Sequence, residues 1–119
     1  MPKILVVDDN RDTRELLHLY LSNTGFTVVS ASNGREGFYL ANAEHPDLII
    51  TDLCMPEMDG IEMIKQLRAE PEAQDVPILI LTAHGEEYLD QSGANWTLNK
   101  PIHLGVLTYE VGELLKNTN

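Results

Sequence analysis

The chain of 119 residues has room for one domain that buries most of its apolar surface. With 43% apolar residues, no low-complexity tract and no internal repeat, it does not read as a disordered chain. A formal charge of −11 argues against direct nucleic-acid binding, which calls for a basic face, and no apolar run approaches membrane-spanning length.

Lys3–Val7 is an apolar strand that starts directly after Met1-Pro2, with no signal-peptide pattern, and ends at Asp8-Asp9. Asn10 caps the helix that follows, and Asp12 and Glu15 sit favourably in its first turns. Leu16, Leu17, Tyr20 and Leu21 give that helix an apolar face, and Gly25 ends it. Residues 26–31 read as a strand. Residues 33–44 form a weaker helix, because Gly37 in its interior costs about 1 kcal/mol relative to Ala. Phe38 and Tyr39 on that helix cannot both face the core, so one is expected at the surface.

Pro46 stops the helix and hands over to Leu48–Thr51, too short for an ordinary helix, rich in β-branched residues and ending in Asp52. A strand apolar on both faces belongs in a parallel sheet covered by helices. Pro56 and Asp59-Gly60 mark a loop, after which Ile61, Ile64 and Leu67 recur at helical spacing. Pro71 and Pro77 bracket another loop. Residues 78–83 and 94–99 are the fourth and fifth strands, and Lys100-Pro101 follows the fifth. The last helix, 103–116, buries Leu104, Leu107, Val111 and either Leu114 or Leu115.

Five β-α repeats with right-handed crossovers predict an α/β fold, a five-stranded parallel sheet with helices on both faces. All strand C-termini then share one edge, where open α/β sheets place their sites. That edge receives Asp8, Asp9, Asp52, Thr82 and Lys100. Taken singly, the carboxylate pair reads as a helix cap, Thr82 as a strand residue and Lys100 as a surface charge. Their coincidence at the ends of four strands makes them a candidate site.

Three carboxylates about 5 Å apart repel by roughly 3 kcal/mol per pair at an effective dielectric of about 20, on the order of 10 in all. Lys100 alone cannot offset that, so protons are taken up or a cation enters. An oxygen-only site with room for water suits Mg²⁺ beside a phosphoryl group, with Lys100 as the second positive element. The single Cys54 excludes an internal disulfide and fits a reducing, cytoplasmic compartment. Cys54 and the four histidines, His18, His45, His84 and His103, show no metal-ligand spacing.

The stretches Val7-Asp8-Asp9-Asn10, residues 52–60 (Asp-Leu-Cys-Met-Pro-Glu-Met-Asp-Gly), Leu81-Thr82-Ala83 and Lys100-Pro101 together resemble the receiver domain of two-component response regulators. The resemblance covers the whole chain, 1–119, as one receiver domain of the single-domain type, with no effector domain. It implies flavodoxin-like, doubly wound topology with strand order 2-1-3-4-5 and phosphorylation at Asp52 by a sensor histidine kinase or a histidine phosphotransfer protein. It also implies direct Mg²⁺ ligation by Asp9, Asp52 and the backbone carbonyl of Cys54, with Asp8 acting through metal-bound water and Mn²⁺ as a substitute metal. Lys100 is implied to contact the phosphoryl oxygens, Thr82 to move toward them, and Lys100-Pro101 to be cis. The domain would catalyse its own phosphorylation and dephosphorylation and act on a downstream protein or a missing effector domain. Ala83 leaves the phosphoryl group open to a donor or water. Cys54 and His84 occupy positions that tune phosphoryl lifetime in relatives.

Two departures from the family pattern bear on output. The segment between Thr82 and Gly93 is about one helical turn short, so a shortened or irregular fourth helix is expected over residues 86–92. The aromatic usually found three residues before the lysine is displaced to Trp96, with Thr97 in its place. Trp96 is expected to face the opposite side of the sheet from Thr97 and to pack in the core. Any signal is then expected to leave through the first helix, the loop after the fourth strand or the last helix. Two other readings stay open: a receiver-fold binding module that signals without phosphorylation, and a haloacid-dehalogenase-like phosphatase. The second wants an Asp-x-Asp-x-Thr loop after its first strand, which Asp8-Asp9-Asn10-Arg11-Asp12 does not supply.

Overall fold

In the computed structural model, which describes residues 1–53, 58–82 and 93–116, the apolar runs become five parallel strands. They are β1 (Lys3–Val7), β2 (Thr27–Ala31), β3 (Leu48–Thr51), β4 (Ile78–Thr82) and β5 (Trp96–Asn99), in sheet order β2-β1-β3-β4-β5. The described helices are α1 (Arg11–Asn23), α2 (Gly34–Glu44), α3 (Gly60–Ala69) and α4 (Leu104–Lys116). The shortened helix expected over residues 86–92 lies outside the described residues, as do Cys54, Ala83 and His84.

Strand alternation splits the core in two. Leu5, Val7, Ile49, Ile78 and Ile80 pack against Met63, Ile64 and Leu67 of α3 and Ala41 of α2. Ile4, Val6, Leu48, Ile50, Leu79 and Leu81 pack on the other side against Leu17 and Leu21 of α1 and Leu107 and Val111 of α4. Strands β3 and β4 are buried at every residue, the signature of a parallel sheet covered on both faces.

Three caps hold the helices where the sequence places them. The side chains of Asn10, Asn33 and Asp59 accept from the backbone N–H groups of Thr13, Glu36 and Glu62. Within α1 the buried stripe is Leu17 and Leu21; Leu16, assigned to it from sequence, is 46% exposed because one residue turns the helix by about 100°. In α2 the choice between Phe38 and Tyr39 resolves with Phe38 packed on the core and Tyr39 68% exposed. Gly37 has a packing reason for its cost to the helix. A Cβ there would lie 2.9 Å from Val7 Cγ2 and 2.8 Å from Met63 Sδ, so only glycine lets α2 seat this closely on β1.

Trp96 corrects an expectation. It is 44% exposed rather than packed in the core. It pairs with Leu79 at the start of β5, the edge strand, on the sheet face that α4 covers. Leu98, two residues on, packs against that core, whereas Trp96 stays exposed.

Behind β4 and β5, Arg68 at the end of α3 holds the loop that Pro71 and Pro77 bracket. Its Nη1 donates to the carbonyls of Ala73 (3.3 Å), Gln74 (3.0 Å) and Val76 (2.6 Å). Its Nε donates to Gly93 O and its Nη2 to Asn95 Oδ1, which also accepts from Ile78 N.

Candidate functional site

Four of the five parallel strands, all but β2, deliver site residues to the C-terminal edge. β1 runs into Asp8, whose N–H donates to Ala31 O of β2 at 3.1 Å. β3 runs into Asp52, whose N–H donates to Val7 O at 2.9 Å, so the sheet hydrogen bonds themselves set the two carboxylates side by side. The Thr51 hydroxyl donates to Asp52 O at 2.8 Å. β4 ends at the buried Thr82, whose carbonyl accepts from Lys100 N at 3.1 Å, and that bond brings Lys100 to the edge. The Lys100-Pro101 peptide is cis, as expected.

Asp8, Asp9 and Asp52 each offer a carboxylate oxygen, all within 4.8 Å of one another. At this separation the repulsion between them is relieved by taking up a proton or a cation. Asp8 and Asp52 are buried and Asp9 is exposed, so the cluster is walled on the sheet side and open to solvent on the other. Lys100 bridges the buried pair, with Nζ 3.2 Å from Asp8 Oδ2 and 3.1 Å from Asp52 Oδ2. The remaining oxygens are held by backbone: Asp8 Oδ1 accepts from Asn10 N at 2.9 Å and Asp52 Oδ1 from Leu53 N at 2.7 Å.

Burial pushes the Asp8 carboxyl above its ordinary value, and the Asn10 N–H and the Lys100 charge offset this only in part. Burial alone would lower Lys100, but its hydrogen bonds and charge interactions with Asp52 and Asp8 outweigh that and hold it above its ordinary value. One ammonium among three carboxylates leaves net negative charge. The site is short of positive charge even with Lys100 in place.

The five residues picked from sequence thus meet at one edge, while the Cys54 carbonyl lies outside the described residues. Two contributors were not picked. Arg14 Nη1 donates to Asp8 O at 2.8 Å, bracing the turn from behind. Its place one helical turn before Leu17 puts Arg14 on the buried face of α1, but the carbonyl it meets there leaves no mark in the sequence. Gly60 is the second: its N–H donates to Leu53 O at 2.8 Å, and a Cβ there would overlap the Asp52 carbonyl. The start of α3 therefore lies directly against the backbone of Asp52.

Residues 4–111 match the family model described as the response regulator receiver domain. The chain belongs to that family. This receiver domain is 46% identical over 120 residues to the alkaline phosphatase synthesis transcriptional regulatory protein PhoP of Bacillus subtilis, covering 98% of the chain and 49% of PhoP. It thus spans about half the length of that relative. Among solved structures, a response regulator from Chloroflexus aurantiacus matches with a TM-score of 0.91, 33% identity and 98% coverage of each chain. The response regulator TrrA from Thermotoga maritima, solved in complex with Mg²⁺-BeF, matches with a TM-score of 0.87 and 33% identity, covering 96% of this chain and 99% of its own. The receiver fold, with strand order 2-1-3-4-5, is the one observed here, and the family ties the chain to two-component signalling. Among the described residues no helix is long and apolar enough to cross a membrane.

Proposed function

We propose that residues 1–119 act as a phosphorylation switch in a two-component phosphorelay, with Asp52 as the phosphoacceptor. The observation that carries this reading is the trio of carboxylates within 4.8 Å, two of them bridged by one lysine. An all-oxygen donor set with one open, exposed member fits Mg²⁺, which keeps several waters and takes one or two carboxylates beside a phosphate. Asp8, Asp9, Asp52 and the Cys54 carbonyl would hold it, and Mn²⁺ would substitute. When bound, the metal supplies the positive charge the cluster lacks and withdraws charge from the phosphoryl oxygens.

The chain's own residues then have distinct tasks. A carboxylate oxygen of Asp52 attacks the phosphorus of a phosphohistidine on a sensor kinase or a histidine phosphotransfer protein. A P–O bond forms as the P–N bond breaks, and the imidazole leaves with the electron pair. Lys100 moves from its two carboxylates to a phosphoryl oxygen, matching the charge that develops there. Thr82, buried at the end of β4, donates to another oxygen and carries the change into the loop that follows. Water attack at phosphorus returns the site to its starting state. The partner that reads the state is a downstream protein or an effector domain. Direct DNA contact by this domain is not part of the reading, given its charge of −11.

Intact mass after incubation with acetyl phosphate tests the reading. A gain of one phosphoryl group is expected with Mg²⁺, none with EDTA and none in Asp52→Asn. A gain that survives Asp52→Asn would place the chemistry elsewhere. Absence of any gain from both acetyl phosphate and phosphorylated kinases would leave a binding module on the same fold.

A further inference from the structure

At the edge of the sheet opposite the aspartate cluster, a cleft of about 290 Å³ opens between the end of α2 and the loop leading into β4. Its floor is apolar, formed by Ala41, Ile49, Val76 and the two prolines Pro46 and Pro77. Asp47 lines it from one wall and Glu72 and Asp75 from the other, and neither a lysine nor an arginine is among the lining residues. Both walls are fixed before any partner arrives. Arg68 grips the carbonyls of Ala73, Gln74 and Val76 in one. In the other, His45 closes α2 in the left-handed conformation, and Asp47 Oδ2 accepts from Lys3 N at 2.7 Å. The neighbouring cations are only partly directed at the cleft: Lys3 Nζ lies 2.9 Å from Glu44 Oε1, and the Arg68 guanidinium donates to its carbonyls while its charge also acts on Asp75.

We propose that this cleft is a docking site for an arginine side chain on a protein partner, separate from the phosphoacceptor edge. The volume lies at the lower end of the roughly 300–1,000 Å³ that encloses a drug-sized ligand, so it suits one side chain. The apolar floor takes the aliphatic stem, and carboxylates on opposite walls meet the guanidinium fork. Arginine is favoured over lysine because its planar fork of donors matches carboxylates, and because it is the more weakly hydrated cation. The inference does not depend on whether Asp52 is phosphorylated.

The test is an amide chemical-shift titration of the full chain with a capped Ala-Arg-Ala peptide, its lysine and glutamate counterparts, and free arginine. Shifts centred on residues 41–49 and 72–77 are expected for the arginine peptide, weaker ones for lysine and none for glutamate. Because Glu72 and Asp75 are exposed, Glu72→Gln with Asp75→Asn leaves the fold intact and is expected to raise Kd about fivefold, the loss of two rim ion pairs. The proposal is overturned if shifts spread over acidic residues generally or centre on the aspartate cluster. An unchanged Kd in the double variant also overturns it. So does free arginine binding as tightly as the peptide, which would make the occupant a small amine rather than a protein.

Discussion

The two ends of the sheet each hold a partly buried cation, and they use it in opposite ways. At the back, Arg68 donates to four carbonyls and one side-chain amide oxygen, all neutral acceptors. At the front, Lys100 faces two carboxylates with a third close by, more negative charge than it can neutralise. The first arrangement is complete, and its effect is to hold α3, its following loop and the approach to β5 together. The second is incomplete, short of positive charge of the kind a metal ion supplies.

Substitutions at the two cations should separate these roles. In Lys100→Ala the phosphorylation rate is expected to fall about 10²-fold or more, the usual loss when a group that meets developing charge is removed. Mass spectrometry against time measures it, and a rate within threefold of the parent would remove Lys100 from the chemistry. Arg68→Ala should do the reverse: a loss of about 3 kcal/mol in urea unfolding, because several carbonyls lose their donor together, with the phosphorylation rate nearly unchanged. Arg68→Lys should recover less than half of that stability, since an ammonium cannot span the same acceptors.

A smaller effect sharpens the comparison at the level of packing. Gly37→Ala gains about 1 kcal/mol in helix propensity but forces a methyl against Val7 and Met63, an overpacking cost of about 1–3 kcal/mol. A net loss in thermal unfolding is expected; a stabilised variant would mean that α2 shifts freely on β1.

The subtlest test is pH. Asp8 titrates above its ordinary value of 3.8 when folded, so the folded metal-free chain takes up a proton that the unfolded chain does not. This group's contribution to stability therefore rises as pH falls from neutral through its folded pKa and is complete below 3.8. Lys100 acts on the alkaline side: its contribution is whole below 10.5 and is lost as pH rises through its higher folded value. Melting curves in EDTA should show the acid-side gain, and Asp8→Asn should lack it. Saturating Mg²⁺ should suppress it as well, by keeping the carboxylate ionised. An acid-side gain of the same size in Asp8→Asn would assign the effect to relief of the overall −11 charge instead.

Much of this molecule is legible in its sequence because it follows from local rules. Apolar runs too short for helices, the Asn10 cap and alternating β and α segments suffice for the element order, the parallel sheet and the edge where Asp8, Asp9, Asp52, Thr82 and Lys100 meet. What only the tertiary structure decided depends on distance across the fold rather than along the chain. Trp96 is exposed at the start of β5, the edge strand, where only one neighbouring strand flanks it. Gly37 and Gly60 are needed because Val7, Met63 and the Asp52 carbonyl happen to lie against them. Arg14 and Arg68 bind backbone carbonyls, which every residue carries, so no side-chain pattern in the sequence announces those partners. Periodicity tells which face a residue turns inward, but what it meets there is set by the packing of the whole chain.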